Sequence, residues 1–265
     1  MSALNAGKKG ECALCRQRRA LCDSHLVPAA ILRLLRDADF RNPNPYIMSL
    51  NHIGQSSAQA KQQLLCSNCE QRFSRDGEKW VAANCSLLHK NTFPLRDLIH
   101  GAQPLLSGPQ GAVYDASKIP KIDIKQLVYF GTSVIWRAAV TSWRLQREVR
   151  QPINIAQASQ EELRLYLLGG AFPQNATLTV FIISGIEPLP VALFPEILDE
   201  DSARVTYRFY IPGIWFLLLL GKGITNDDRK MCILRSPSHP ICLSTCADAL
   251  PGQISYELYT HKKTL

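Results

Sequence analysis

After Pro120 the apolar residues Ile124, Leu127, Val128, Val134, Ile135, Ala138, Leu145 and Val149 recur three and four apart, with Arg137, Arg144, Arg147 and Arg150 between them. That period predicts one long amphipathic helix ending before Pro152. A short helix is predicted from Pro28 to Asp39, because Pro-Ala-Ala-Ile-Leu-Arg-Leu-Leu-Arg opens with proline at a helix-start position and continues with strong helix formers. A second should follow Cys69, carrying Phe73, Trp80 and Val81. Ser159 and Glu162 form a capping-box pair for a helix from about Gln160, which Gly169-Gly170 stops.

Beyond that point the period changes. Thr177 to Ser184, Val205 to Tyr210 and Ile214 to Leu220 are rich in β-branched and aromatic residues between Pro and Gly turns, which predicts strands. Residues 41–60 hold Pro43, Pro45, Gly54 and many Asn, Ser and Gln without a sustained period, and read as a loop. Gly101, Pro104, Gly108, Pro109 and Gly111 mark a boundary or hinge. Residues 1–10 read as a tail, with structure starting at Glu11. The fold class that results is α+β: a module over residues 11–100, then a domain over 118–265 in which a long helix packs on a mostly antiparallel sheet.

Composition limits the alternatives. The chain has 265 residues, 46% hydrophobic and 20% charged, with 15 Gly and 16 Pro, which excludes collagenous, coiled-coil and wholly disordered classes. The most apolar run, Ile214 to Leu220, is seven residues long, against about 20 for a bilayer span. The N-terminal residues lack an apolar signal core, so a soluble, cytoplasmic protein without a membrane partner is expected. Net charge is +8, unevenly spread: residues 1–150 carry 21 Lys+Arg against 11 Asp+Glu, and residues 151–265 carry 9 against 11. The basic half is a candidate for a polyanionic partner.

Nine cysteines without a secretory signal point to metal ligation more than to disulfides. Cys12-Ala-Leu-Cys15 and Cys66-Ser-Asn-Cys69 each present two thiolates from one tight turn, and two such pairs close a tetrahedral structural zinc site. The other readings of the four are unrelated buried thiols or a redox pair. Fifty residues, Arg16 to Leu65, separate the pairs, more than the about 15 to 20 of a simple zinc ribbon, so the insert must hold structure of its own. Within it, Leu21-Cys22-Asp23-Ser24-His25-Leu26-Val27-Pro28 sets a histidine at the end of a short strand, beside the zinc scaffold and near the helix after Cys69. Cys232, His239, Cys242 and Cys246 offer a second zinc set on paper, but their irregular spacing in apolar, strand-like sequence favours buried free thiols.

Over roughly residues 11–80 these elements resemble the HNH, or ββα-metal, nuclease superfamily, whose zinc-stapled members show Cys-x2-Cys, Asp-His-x2-Pro and Leu-Cys-x2-Cys before a helix. The chain is also similar to a set of uncharacterised bacterial proteins that pair Ser-His-x2-Pro with Leu-Leu-Cys-x2-Cys-Glu-x3-Ser, here Ser24 to Pro28 and Leu64 to Ser74. Their helix ending in Ser-Trp-Arg resembles Thr141 to Arg144.

The resemblance implies a metal-dependent endonuclease cutting phosphodiester bonds, with a part in bacterial defence or mobile-element conflict. It implies His25 as general base, and Ser24, Glu70 and Ser74 as the positions that hold a catalytic Mg²⁺ or Mn²⁺. Departures from the family pattern are Ser24 for the usual Asp or His, Lys61 where Asn is expected, and Glu70 and Ser74 for His or Asn.

Other readings stay open. His25 is equally read as a structural residue, and Glu70 and Glu78 as solvated helix residues. The module would then be a non-catalytic, zinc-held unit that binds nucleic acid or protein. Arg16, Arg18, Arg19, Arg72 and Arg75, with Arg33 and Arg36, are candidate phosphate contacts or simply a solvated charged surface. Trp136 and Trp143, seven apart, read as core packing. The C-terminal domain carries no recognised motif and is left to a protein partner or self-association.

Overall fold

The structure, a computed structural model, describes residues 8–36, 46–49, 52–55, 59–87, 90–145, 148–184 and 191–244. Residues 1–7, the predicted helix end at 37–39 and Cys246 lie outside the described residues. Order begins before Glu11: β1 (Lys9–Glu11) pairs antiparallel with β2 (Arg18–His25). Then come α1 (Ala29–Arg36), β3 (Tyr46–Ser49), β4 (His52–Gln55) and β5 (Lys61–Cys66). The loop reading of residues 41–60 is thus corrected, since a hairpin of β3 and β4 stands inside it.

Helix α2 (Ser67–Phe73) starts directly after the β5 residue Cys66, so Cys69 already lies in its first turn. It continues through a π turn (Ser74–Glu78) into α3 (Lys79–Asn84), and α4 (Pro94–His100) follows. The Gly/Pro-rich stretch carries β6 (Leu106–Gly108) and β7 (Gly111–Asp115).

Helix α5 (Ile124–Val140) is capped by Asp123, whose carboxylate accepts from the Gln126 N–H at 3.0 Å. It does not run to Val149, which corrects the periodicity reading. Thr141 is extended, and the last turn is closed by tertiary partners: the Trp143 indole N–H donates to the Arg137 carbonyl (3.0 Å) and the Ile153 N–H to the Ala138 carbonyl (3.0 Å). The last carbonyls of a helix need such donor partners, and here the folded chain supplies them in place of a C-cap glycine. Beyond it, β8 (Trp143–Leu145) pairs with β5 and with β9 (Glu148–Arg150). Trp136 and Trp143 are both core residues, but only Trp136 is helical.

Next, α6 (Gln157–Leu167) starts about one turn before the predicted position, and the Ser159/Glu162 box is not its cap. Then β10 (Ala176–Ile183), β11 (Val191–Glu200), β12 (Arg204–Ile211), β13 (Ile214–Gly221), the one-turn α7 (Asn226–Lys230) and β14 (Pro240–Ser244) complete the described chain.

The described residues form two sheets: a five-stranded one, β1-β2-β5-β8-β9, and a nine-stranded one, β4-β3-β11-β12-β13-β10-β14-β7-β6. The larger is antiparallel except at β3/β11 and β10/β14. Each sheet takes strands from the other end of the chain: β3 and β4 extend the large sheet, β8 and β9 the small one.

Helix α5 lies between the large sheet and the α2–α3 helix and is not amphipathic, because residues 127–139 are all buried. On one side Gly131 lets it approach the large sheet, where a Cβ would stand 2.7 Å from the Phe216 ring. On the other, Gly77 in the π turn brings the α2–α3 helix against it, and a Cβ there would stand 3.0 Å from the Phe130 backbone nitrogen. Phe73 makes edge contacts with Tyr129 and Trp136 at 5.8 and 6.1 Å across the same junction. Gly→Ala in an open helix stabilises by about 0.5–1 kcal/mol. Gly77→Ala will instead destabilise by about 1–3 kcal/mol in denaturant unfolding, because the obstructing atom is backbone and cannot rotate away. A neutral or stabilising result would disprove the tight junction.

No helix among the described residues is long and apolar enough to cross a membrane.

Candidate metal centre and cleft

Cys12 and Cys15 sit on the turn between β1 and β2. The turn closes through Arg16 N–H to the Cys12 carbonyl (2.8 Å) and Cys12 N–H to the Gln17 carbonyl (3.0 Å), with Arg16 at φ 57°. Cys66 ends β5 and Cys69 opens α2. The β2/β5 pairing, Leu21 opposite Cys66, brings the two turns together. All four Sγ atoms lie within 4.8 Å of one another, and Cys15 and Cys66 are 3.9 Å apart. A tetrahedral zinc with bonds of ~2.3 Å sets sulfurs ~3.8 Å apart, so the frame fits such an ion. The Cys66 N–H donates to Cys12 Sγ (3.3 Å), the kind of partner a thiolate recruits. Burial pushes the Cys12 and Cys69 thiols up, so a bound cation is what would hold them as thiolates here. The four cysteines are therefore placed to hold a metal ion, and their chemistry suits structural zinc.

Among the described residues no other His, Cys, Asp or Glu group is spaced for a metal. Cys232 and Cys242 are buried free thiols, Cys242 pushed up to about 12 by burial, and His239 Nδ1 pairs with the Ile233 carbonyl at 2.9 Å.

Beside this centre a cleft of about 350 Å³ opens to solvent, lined among others by His25, Arg33, Glu70, Ser74, Glu78 and Arg137. His25 is the last residue of β2, opposite Lys61 of β5. Its Nε2 lies 2.6 Å from Gln59 Oε1. With that oxygen as acceptor the proton is assigned to Nε2, leaving Nδ1 as the basic nitrogen. Burial holds the His25 pKa below its ordinary value; nearby Lys61 and Arg137 push the same way, against Gln59 and Glu70. The ring is therefore neutral at pH 7.

Ser24 points the other way and is fully buried. Its hydroxyl donates to Glu70 Oε1 and accepts the Leu65 N–H at 3.2 Å. Glu70, in the first turn of α2, and Ser74, one turn on, both face the cleft.

No protein-family model, curated protein or solved structure matches this chain. The site is read from its own geometry.

Two groups that contact His25 were not among the residues singled out as site candidates. Gln59 gave no sequence signal. Arg137 gave one: it is the only charged residue between Lys125 and Arg144, set in Val-Ile-Trp-Arg-Ala-Ala. Glu78, weighed above as a solvated residue, is 15% exposed and ion-paired to Arg137 at 3.0 Å.

Of the candidate phosphate-binding arginines, Arg16 pairs with Glu161, Arg72 donates to the Leu168 carbonyl (3.1 Å) and Arg75 pairs with Asp76. Arg18 and Arg19 are exposed on β2, where Arg19 donates to Gln17. Arg33 and Lys79 are exposed at the cleft itself.

Proposed function

We propose that the protein is a zinc-stabilised, HNH-like endonuclease that hydrolyses phosphodiester bonds in nucleic acid, with β2, β5 and α2 as its ββα-metal-like module. The observation that carries this reading is that His25, at the end of β2, and Glu70, in the first turn of α2, line one solvent-open cleft beside the four-cysteine frame. His25 Nδ1 takes a proton from water, and the oxygen so activated attacks phosphorus. The bond to the leaving oxygen breaks, and that oxygen is protonated from solvent. Glu70 and Ser74 are the oxygens that would hold Mg²⁺ or Mn²⁺, while the Glu78 carboxylate is taken by Arg137. One or two carboxylates plus substrate phosphate suit Mg²⁺. The cation would supply charge neutralisation at the phosphate and the leaving oxygen. Ser24 orients Glu70, while Arg33 and Lys79 are the exposed cations at the cleft mouth that meet the nucleic-acid backbone.

His25→Ala will lower nicking of DNA or RNA by about 100-fold or more in Mg²⁺ or Mn²⁺, within the usual contribution of a general base. Because the base must be neutral and its pKa is lowered, wild-type activity will persist through pH 7 and fall as pH drops below about 6.5. Unchanged nicking in His25→Ala would refute the assignment.

A second reading has its own support. The Ser24 hydroxyl is already satisfied on both sides, and among the described residues only the cysteines are spaced for a metal. A non-catalytic module that binds nucleic acid or protein is the conclusion if wild-type protein leaves single- and double-stranded DNA and RNA intact with both cations.

A further inference from the structure

The Arg137 guanidinium is committed on three sides around the cleft. Nη1 donates to the His25 carbonyl (2.9 Å), Nη2 faces Glu78 Oε1 (3.0 Å) and Nε donates to the Ser133 carbonyl (3.3 Å). Its face lies over the Phe73 ring, 5.2 Å from the centroid. The side chain is 1% exposed.

Taking a guanidinium out of water is costly, and a buried ion pair commonly adds less stability than apolar residues of the same volume would. Stability therefore does not account for an arginine in the buried stretch 127–139 of α5, where no other residue is charged. Its contacts do. Arg137 belongs to α5, yet it ties together the end of β2 at His25, the π turn at Glu78 and the end of α2 at Phe73. The His25 carbonyl lies where β2 stops, just before the turn into α1, so the arginine holds the backbone from which the imidazole projects. A lysine could not reproduce this grip, because only the planar fork reaches two acceptors in fixed directions.

We infer that Arg137 is a positioning residue: it sets where the His25 ring and the Glu78 carboxylate stand relative to Glu70, so that α5 of the C-terminal part completes a cleft built by the N-terminal part. Its catalytic consequence rests on the proposed reading of His25 as base; the positioning itself does not.

The test uses the full chain in three forms: wild type, Arg137→Lys, and Arg137→Met/Glu78→Met, which removes the pair without leaving a buried charge. The readouts are zinc content, the ring ¹H–¹⁵N signals of His25 assigned through His25→Ala, and oligonucleotide cleavage in Mn²⁺. In the zinc-loaded, folded double variant the His25 ring signals will move. The cleavage rate at saturating oligonucleotide will fall about 30-fold or more with KM within about threefold, as misplacement of a catalytic group produces. Arg137→Lys will fall between the two in both readouts.

Ring signals that superimpose on wild type in Arg137→Lys and in the double variant would overturn the inference, as would wild-type cleavage by both. If wild-type protein does not cleave, the nuclease reading fails and the ring signals alone decide the positioning role. If the double variant does not fold, Arg137→Lys carries the decision by the same two readouts.

Discussion

Cys69→Ser will release the metal, about one zinc per chain by elemental analysis, and unfold the region around β1, β2, β5 and α2 before the rest. Structural zinc sites contribute about 10–16 kcal/mol of apparent binding free energy in small domains, as much as the whole stability of a typical protein, about 5–15 kcal/mol. The effect will not stay local. Cys12, Cys66 and Cys69 belong to the same apolar cluster as Leu14, Leu65 and Phe73, which continues through α5 into the large sheet. Hydrogen exchange should therefore lose protection first in residues 11–36 and 61–84, then in α5. Cys242→Ser, at a buried thiol of β14 outside the four-cysteine set, serves as control and will leave zinc content unchanged. Protein purified without chelator that contains no zinc would overturn the metal centre, and wild-type stability in Cys69→Ser would overturn its structural role.

What the sequence disclosed and what it withheld divide along a physical line. The four cysteines were legible because each pair is made by one local turn, and its spacing survives whatever the rest of the chain does. Helix α1 and strands β10, β12 and β13 were legible for the same reason, since their period and their Pro and Gly stops lie within the segment.

Strand β11 was not. Pro195 stands in its middle, and the register shifts between Leu193 and Glu196 and again between Ile197 and Asp199, so the segment breaks the rule that identifies a strand. Helix α5 kept its helical period past its true end, because what stops it is distant. The Trp143 indole and the Ile153 N–H take its last carbonyls, and β5 takes Arg144 into a sheet.

The candidate site divides in the same way. Ser24, His25, Glu70 and Ser74 stand in two short motifs, whereas Gln59 and Arg137 reach His25 from 34 and 112 residues away. The helical period sets Arg137 among the polar-face arginines of an amphipathic helix, and its burial among apolar neighbours corrects that reading.

That charge yields the second large effect. Glu78→Ala will destabilise the protein by about 3–5 kcal/mol, because it leaves a guanidinium in the interior with its carboxylate partner gone. Arg137→Met will cost a comparable amount, for it strands the Glu78 carboxylate, whose pKa burial already raises against the pull of Arg137. The two losses will not add. In Arg137→Met/Glu78→Met no buried charge is left unpaired, and the side chain at position 137 lies against Phe73, so the double variant will be more stable than either single change. Measured by urea unfolding, the cycle will return a coupling energy of at least about 2 kcal/mol, in the range found for residues of one buried network. Near-additive costs would mean that solvent reaches the pair and screens it, as at an exposed salt bridge worth about 0–1 kcal/mol. Strong coupling would instead tie the stability of the α2–α5 junction to the same two side chains that frame the cleft, so changes that relax one will loosen the other.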